Sequence, residues 1–219
     1  MIRAVIFDLD GTVLNTLTAI TYFVNETMDF LGREHVSEER VKYLVGNGAK
    51  LLIERALAET GGYDGETFDR AYRFYNEKYN ASPREKTAPY GGIPEMLAVL
   101  RERGVKIGIL SNKPESAVVP LCEYFFPGST DLVMGGRSGV PLKPDPTAGK
   151  EMLRMLGVSA EECVFVGDTA VDIRTGQALG TALTVGVLWG FRTEAELIGA
   201  KADRIVSDPM QIPAIVGSI

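Results

Sequence analysis

The chain has 219 residues, of which 45% are hydrophobic and 24% charged, with a net charge of −6. This is enough for one large domain or two small ones, in an ordinary globular composition. The acidic balance disfavours general binding to nucleic acid or to a membrane surface, and no apolar run approaches spanning length.

Two cysteines, Cys122 and Cys163, stand in no metal-ligand spacing and suggest a reducing, cytoplasmic setting. Asp8 and Asp10 interrupt the N-terminal apolar run too early for a signal peptide. The single histidine, His35, sits among polar residues and is expected on the surface. One histidine disfavours zinc chemistry and a Ser–His–Asp triad. A metal here would be held by carboxylates, which select a hard ion such as magnesium.

The apolar run Ala4 to Phe7, in an expected first strand over residues 2–8, suits a strand buried on both faces and stops at Asp8-Leu9-Asp10-Gly11-Thr12. In an extended chain, Asp8 and Asp10 point the same way at the strand's C-terminal end. Such a pair calls for a cation, a shared proton or water; alternatively, an Asx turn simply closes the strand. Residues 16–31 then place Ile20, Phe23, Val24, Thr27 and Leu31 on one helical face. A glycine-rich turn at 44–49 opens a helix over 50–58, and Gly61-Gly62 breaks it. Residues 65–80 form an amphipathic helix whose aromatic stripe (Phe68, Tyr72, Phe74, Tyr75, Tyr79) is expected to pack helices rather than line a ligand site.

After turn-rich residues 82–92 the pattern alternates. Helices are expected over 93–103, 115–125, 146–156, 170–179 and 193–198. Strands are expected over 105–110, 131–134, 163–166, 182–187 and 204–206. This order predicts an α/β fold, a doubly wound parallel sheet with right-handed crossovers. Residues 1–14 and 83–219 would form the core, and residues 15–82 an inserted α-helical cap. An insertion leaving the sheet beside the two aspartates would lie over them as a lid.

Further groups fall at the other strand ends, where open α/β sheets bind ligands. Ser111-Asn112-Lys113-Pro114 forms a strand-to-helix turn suited to an anion, or to capping the next helix. Pro144 and Pro146 stiffen the loop carrying Lys143, a possible phosphate counter-charge or a solvated lysine. Asp168 follows the strand 163–166, and Asp172 falls in the first turn of the next helix, where capping is the alternative role. Together these groups fit phosphoryl transfer. Asp8 and Asp168 would hold magnesium, while Lys143 and the Ser111-Asn112 turn would hold phosphoryl oxygens. Asp8 would attack phosphorus, and Asp10 would move the proton.

These four segments, in this order and over essentially the whole chain, resemble the haloacid dehalogenase superfamily. The resemblance implies that Asp8 is the nucleophile and a metal ligand. Asp10 would be the acid/base, ligating metal through its carbonyl, with Asp168 a ligand and Asp172 a ligand or the partner of one. Ser111, Asn112 and Lys143 would bind the phosphoryl group, Thr12 would be a further substrate-binding residue, and Asn47 in the cap would read the substrate. The second aspartate disfavours the dehalogenase branch, and the absence of a threonine there disfavours the transport ATPases. Val45-Gly46-Asn47-Gly48-Ala49, residues 52–57, Ser111-Asn112-Lys113-Pro114 and residues 186–190 are similar to the bacterial phosphoglycolate phosphatases; Asn15 departs from that pattern. The expected protein is a magnesium-dependent phosphatase of a small phosphorylated metabolite, first of all 2-phosphoglycolate, working through an aspartyl-phosphate as a monomer or homodimer. The alternatives are a phosphomutase resembling β-phosphoglucomutase, a non-catalytic binding protein, and phosphonate cleavage through Lys42 or Lys50.

Overall fold

A computed structural model describes residues 1–218. The first strand is β1, Ala4–Phe7, and all four of its residues are fully buried. Its side chains alternate between two cores, as a period of two requires. Val5 and Phe7 pack in one hydrophobic cluster with Leu97 and Leu100, while Ala4 and Ile6 pack in another with Met152 and Phe165.

After β1 comes the two-residue β2, Leu14–Asn15, and then four helices: α1, Leu17–Phe30; α2, Glu38–Leu44; α3, Ala49–Glu59; and α4, Gly65–Ala81. The short β3, Ala88–Pro89, follows them. The remainder alternates: α5, Ile93–Glu102; β4, Lys106–Pro114; α6, Glu115–Phe125; β5, Leu132–Gly136; α7, Thr147–Leu156; β6, Cys163–Gly167; α8, Ala170–Leu179; β7, Leu183–Val187; α9, Glu194–Gly199; β8, Arg204–Val206; and α10, Gln211–Gly217.

Six strands form one parallel sheet in the order β5-β4-β1-β6-β7-β8. β1 therefore lies between β4 and β6, where strand order reverses, and the crevice beyond its C-terminal end is the natural ligand position. At Gly108, an added Cβ would come within 2.7 Å of Met152 Sδ, so this glycine lets α7 pack close over β4.

The helical block packs in a separate hydrophobic cluster, built on Phe23, Ile53, Leu57 and Tyr75, which Ala117 and Phe191 join from outside the block. Its entry and exit strands, β2 and β3, pair antiparallel, with Leu14 opposite Pro89 and Asn15 opposite Ala88. The composition had suggested only turns at 88–92, because two residues carry no periodicity.

Two helices also escape a periodicity search. α2 is short and polar, and is set by Ser37, which accepts from the Arg40 N–H, and by Glu38 and Glu39 in its first turn. α10 has seven residues. A correction applies to the expected turn at 111–114: those residues continue β4, with a shift of register against β5 between Leu110 and Pro114. His35 is exposed, with Nε2 2.8 Å from Asp29 Oδ1. No helix among the described residues is long and apolar enough to cross a membrane.

Candidate active site

The segments after β1 and β6, the last residues of β4 and the loop before α7 meet at one end of the sheet. Asp8 continues β1, and its N–H donates to Val166 O at 2.9 Å. Lys143 Nζ lies 2.8 Å from Asp8 Oδ1 and 2.7 Å from Asp172 Oδ1. Asp172 Oδ2 accepts from the Thr169 N–H and hydroxyl in a capping box that starts α8. Asp168 Oδ1 accepts from Thr12 Oγ1 at 3.0 Å, and its Oδ2 accepts from the Phe191 N–H at 2.8 Å.

Glycines let the backbone close around these carboxylates. A Cβ at Gly11 would fall 2.4 Å from Asp168 Oδ2, and one at Gly190 would fall 2.3 Å from Asp168 Cβ. Gly11 also has φ +86°, which other residues rarely adopt.

Asp8, Asp168 and Asp172 are buried, and one oxygen of each lies within 4.8 Å of the others. Lys143 is the one ammonium among them, so negative charge is in excess. Burial, with Asp172 and Asp10 adding to it, outweighs Lys143 and pushes Asp8 up to about 7. Asp168 is held well above the carboxylate range by burial and by Asp172 and Asp8, against hydrogen bonds from Phe191 and Thr12. Burial pulls Lys143 down, but Asp172 and Asp8 overcome it and the net shift is upward. A buried, all-oxygen donor set with surplus negative charge fits a hard divalent cation. Both oxygens of Asp172 and both of Asp168 already accept hydrogen bonds, from Lys143 and Thr169 and from Thr12 and Phe191.

A cavity of about 60 Å³ opens between this cluster and the cap. By the roughly 10–15 Å³ that a water needs in the same measure, it holds a few waters or one small molecule. Asp8, Asp10, Ser111 and Lys143 line it from the core, and Tyr75, Asn76, Tyr79 and Asn80 from α4. Asp10 is gripped by Lys113, whose Nζ lies 3.0 and 3.1 Å from the two carboxylate oxygens. Ser111 Oγ accepts from the Lys113 N–H.

The structure brings Asp8, Asp10, Ser111, Lys143, Asp168 and Asp172 to one place. It puts three other expected residues to different use. The Thr12 hydroxyl is fully buried and donates to Asp168, so it fixes that carboxylate rather than facing the cavity. Asn112 lines the cavity, but its amide is spent on the backbone: Nδ2 donates to Gly46 O and Lys143 O, and Oδ1 accepts from the Lys143 N–H. Asn47 is not among the lining residues, and its neighbours Gly46 and Gly48 present backbone there instead.

Several residues that shape the site were not expected. Tyr75 and Tyr79, one helical turn apart on the aromatic stripe, pack in the cap core and also line the cavity. Arg192 reaches across from the core and donates to the carbonyls of Lys42 and Val45. Spacing signals the tyrosine pair, whereas nothing local singles out Arg192.

The haloacid dehalogenase-like hydrolase family matches residues 5–185. A phosphoglycolate phosphatase from Pseudomonas putida is 34% identical over 215 residues, 95% of this chain and 77% of that protein. One from Rhodospirillum rubrum is 35% identical over 203 residues, 89% of this chain and 83% of that protein. Among solved structures, a protein from Lactobacillus delbrueckii subsp. bulgaricus, provisionally assigned as a phosphoglycolate phosphatase, is 31% identical and superposes with a TM-score of 0.92 over 98% of both chains. The chain therefore belongs to the haloacid dehalogenase-like hydrolase family, on its phosphoglycolate phosphatase-like branch of phosphoric monoester hydrolases.

Proposed function

We propose that the chain hydrolyses 2-phosphoglycolate, with magnesium, through an aspartyl-phosphate on Asp8. The observation that carries this is the meeting of Asp8, Asp10, Ser111, Lys143 and Asp168 at the carboxyl end of the sheet, beneath a small capped cavity. The side chains of Asp8 and Asp168, with the Asp10 carbonyl, would hold magnesium, which supplies positive charge to the phosphoryl oxygens and to Asp8.

An Asp8 carboxylate oxygen attacks phosphorus, and the bond from phosphorus to the ester oxygen breaks. Asp10 gives its proton to that oxygen, and glycolate leaves. A water oxygen then attacks phosphorus while Asp10 takes a proton from it, the bond to Asp8 breaks, and inorganic phosphate is released. Lys143, already 2.8 Å from Asp8, offsets the negative charge gathering there, and Ser111 holds a phosphoryl oxygen. The cap keeps bulk water from the acyl-phosphate.

The two free, buried cysteines support a reducing, cytoplasmic setting. A phosphate-release assay with magnesium and 2-phosphoglycolate tests the proposal. Release is expected, and is expected to stop when EDTA removes the metal; no release from 2-phosphoglycolate would refute it. A phosphomutase would instead convert a sugar phosphate with little free phosphate.

A further inference from the structure

Among the described residues, two cationic side chains line the cavity, Lys143 and Lys113. Lys143 is engaged by two buried carboxylates. Lys113 is equally buried, yet Asp10 is its single charged partner. Its Nζ also lies 4.4 Å from the centroid of the Tyr79 ring. Tyr79 lines the same cavity, and its buried hydroxyl, next to Lys113 and Thr87, makes no well-formed hydrogen bond to either.

An ammonium carries three donors, and Asp10 takes two contacts. A buried cation with a donor to spare, beside an unpaired tyrosine hydroxyl, is a place for an anion. Its distance from the chemistry is short. Asp10 must reach the ester oxygen to protonate it, and Lys113 is one hydrogen bond from Asp10. Two hydrogen-bond lengths put the ammonium within roughly 6 Å of the ester oxygen. Alcohols of a few carbons carry a second anionic group into that reach.

We propose that Lys113, with the Tyr79 hydroxyl, binds a carboxylate on the alcohol half of the substrate and so selects short phosphorylated hydroxy acids. This rests on the phosphatase activity proposed for the same site. Lys113 also positions Asp10, so its loss lowers kcat on every ester. What isolates the binding role is the preference between matched esters with and without the carboxylate.

The test uses the full chain with magnesium, and two ester pairs: 2-phosphoglycolate with ethyl phosphate, and 3-phosphoglycerate with glycerol 1-phosphate. The wild type is expected to favour the carboxylate member by at least 100-fold in kcat/KM for at least one pair. Lys113→Met should cut that ratio at least tenfold, through KM on the carboxylate member, while Lys113→Arg keeps most of it. A ratio that Lys113→Met leaves unchanged overturns the proposal, as does a wild type that favours the esters without the carboxylate. Preference for 3-phosphoglycerate, with no turnover of 2-phosphoglycolate, would refute the substrate proposed above and still support Lys113.

Calorimetry keeps the test independent of turnover. The non-hydrolysable 3-phosphonopropionate should bind wild type at least tenfold tighter than propylphosphonate does, and Lys113→Met should remove that difference. Equal binding of the two probes to wild type overturns the proposal even if no ester is hydrolysed.

Discussion

Asp8→Asn is expected to abolish turnover and, at the same time, to stabilise the metal-free protein. Asp8, Asp168 and Asp172 share one buried ammonium, Lys143. Burial is the largest influence on Asp8 and moves its carboxyl from 3.8 to about 7 despite Lys143. Below pH 3.8 the group is protonated whether or not the chain is folded, and it contributes nothing. Between 3.8 and about 7 the unfolded chain ionises while the folded one keeps its proton, so rising pH removes stability. Above about 7 the loss levels off. At 1.36 kcal/mol per decade it reaches about 2 kcal/mol at pH 5.5 and about 4 kcal/mol at pH 8.

Asparagine has the same shape and no such titration, so the variant keeps this stability. With roughly 2–4 °C per kcal/mol for a chain of this size, its Tm should exceed that of wild type by about 10 °C at pH 8 and by about half of that at pH 5.5. Thermal unfolding followed by circular dichroism in EDTA measures both gaps. Saturating magnesium should narrow the gap at pH 8, because bound metal offsets the repulsion in the wild type alone. A variant that melts at or below wild type at pH 8, or a gap that does not widen with pH, would refute the reasoning.

Two further outcomes follow from close contacts. Arg192→Ala removes two hydrogen bonds between the core and the C-terminal end of α2, at the carbonyls of Lys42 and Val45. About 1–3 kcal/mol of cap docking should be lost, seen as faster amide exchange over residues 42–48 and a higher KM; unchanged exchange there would show that the contact does not hold the cap. Gly190→Ala would drive a Cβ to 2.3 Å from Asp168 Cβ and 2.4 Å from Gly11 O. Overpacking of about 1–3 kcal/mol should lower Tm, and weaker magnesium binding by calorimetry should accompany it; wild-type values of both would show that the backbone yields there without disturbing Asp168.

The fold was largely legible because its signals are local. Four apolar residues ending at Asp8 mark a doubly buried strand wherever they occur, and alternation of strands with helices of about ten residues admits few topologies. The catalytic candidates were legible for a related reason: each stands at a strand end, and a parallel sheet aligns its strand ends. Elements of two or seven residues, such as β2, β3, α2 and α10, carry too little periodicity to be seen.

By itself, the sequence determined the sheet, the helical insertion beside the first strand and the residues that gather at Asp8. Those follow from hydrophobic period and from the order of segments. Only the tertiary structure decided how the polar side chains are spent. Thr12 turned to Asp168, the Asn112 amide to the loop of Lys143 and the cap turn, and Lys113 to Asp10. Those partners lie 156, 66, 31 and 103 residues away. A hydrogen bond is decided within about 3 Å in space, and sequence spacing holds no record of which distant group arrives there.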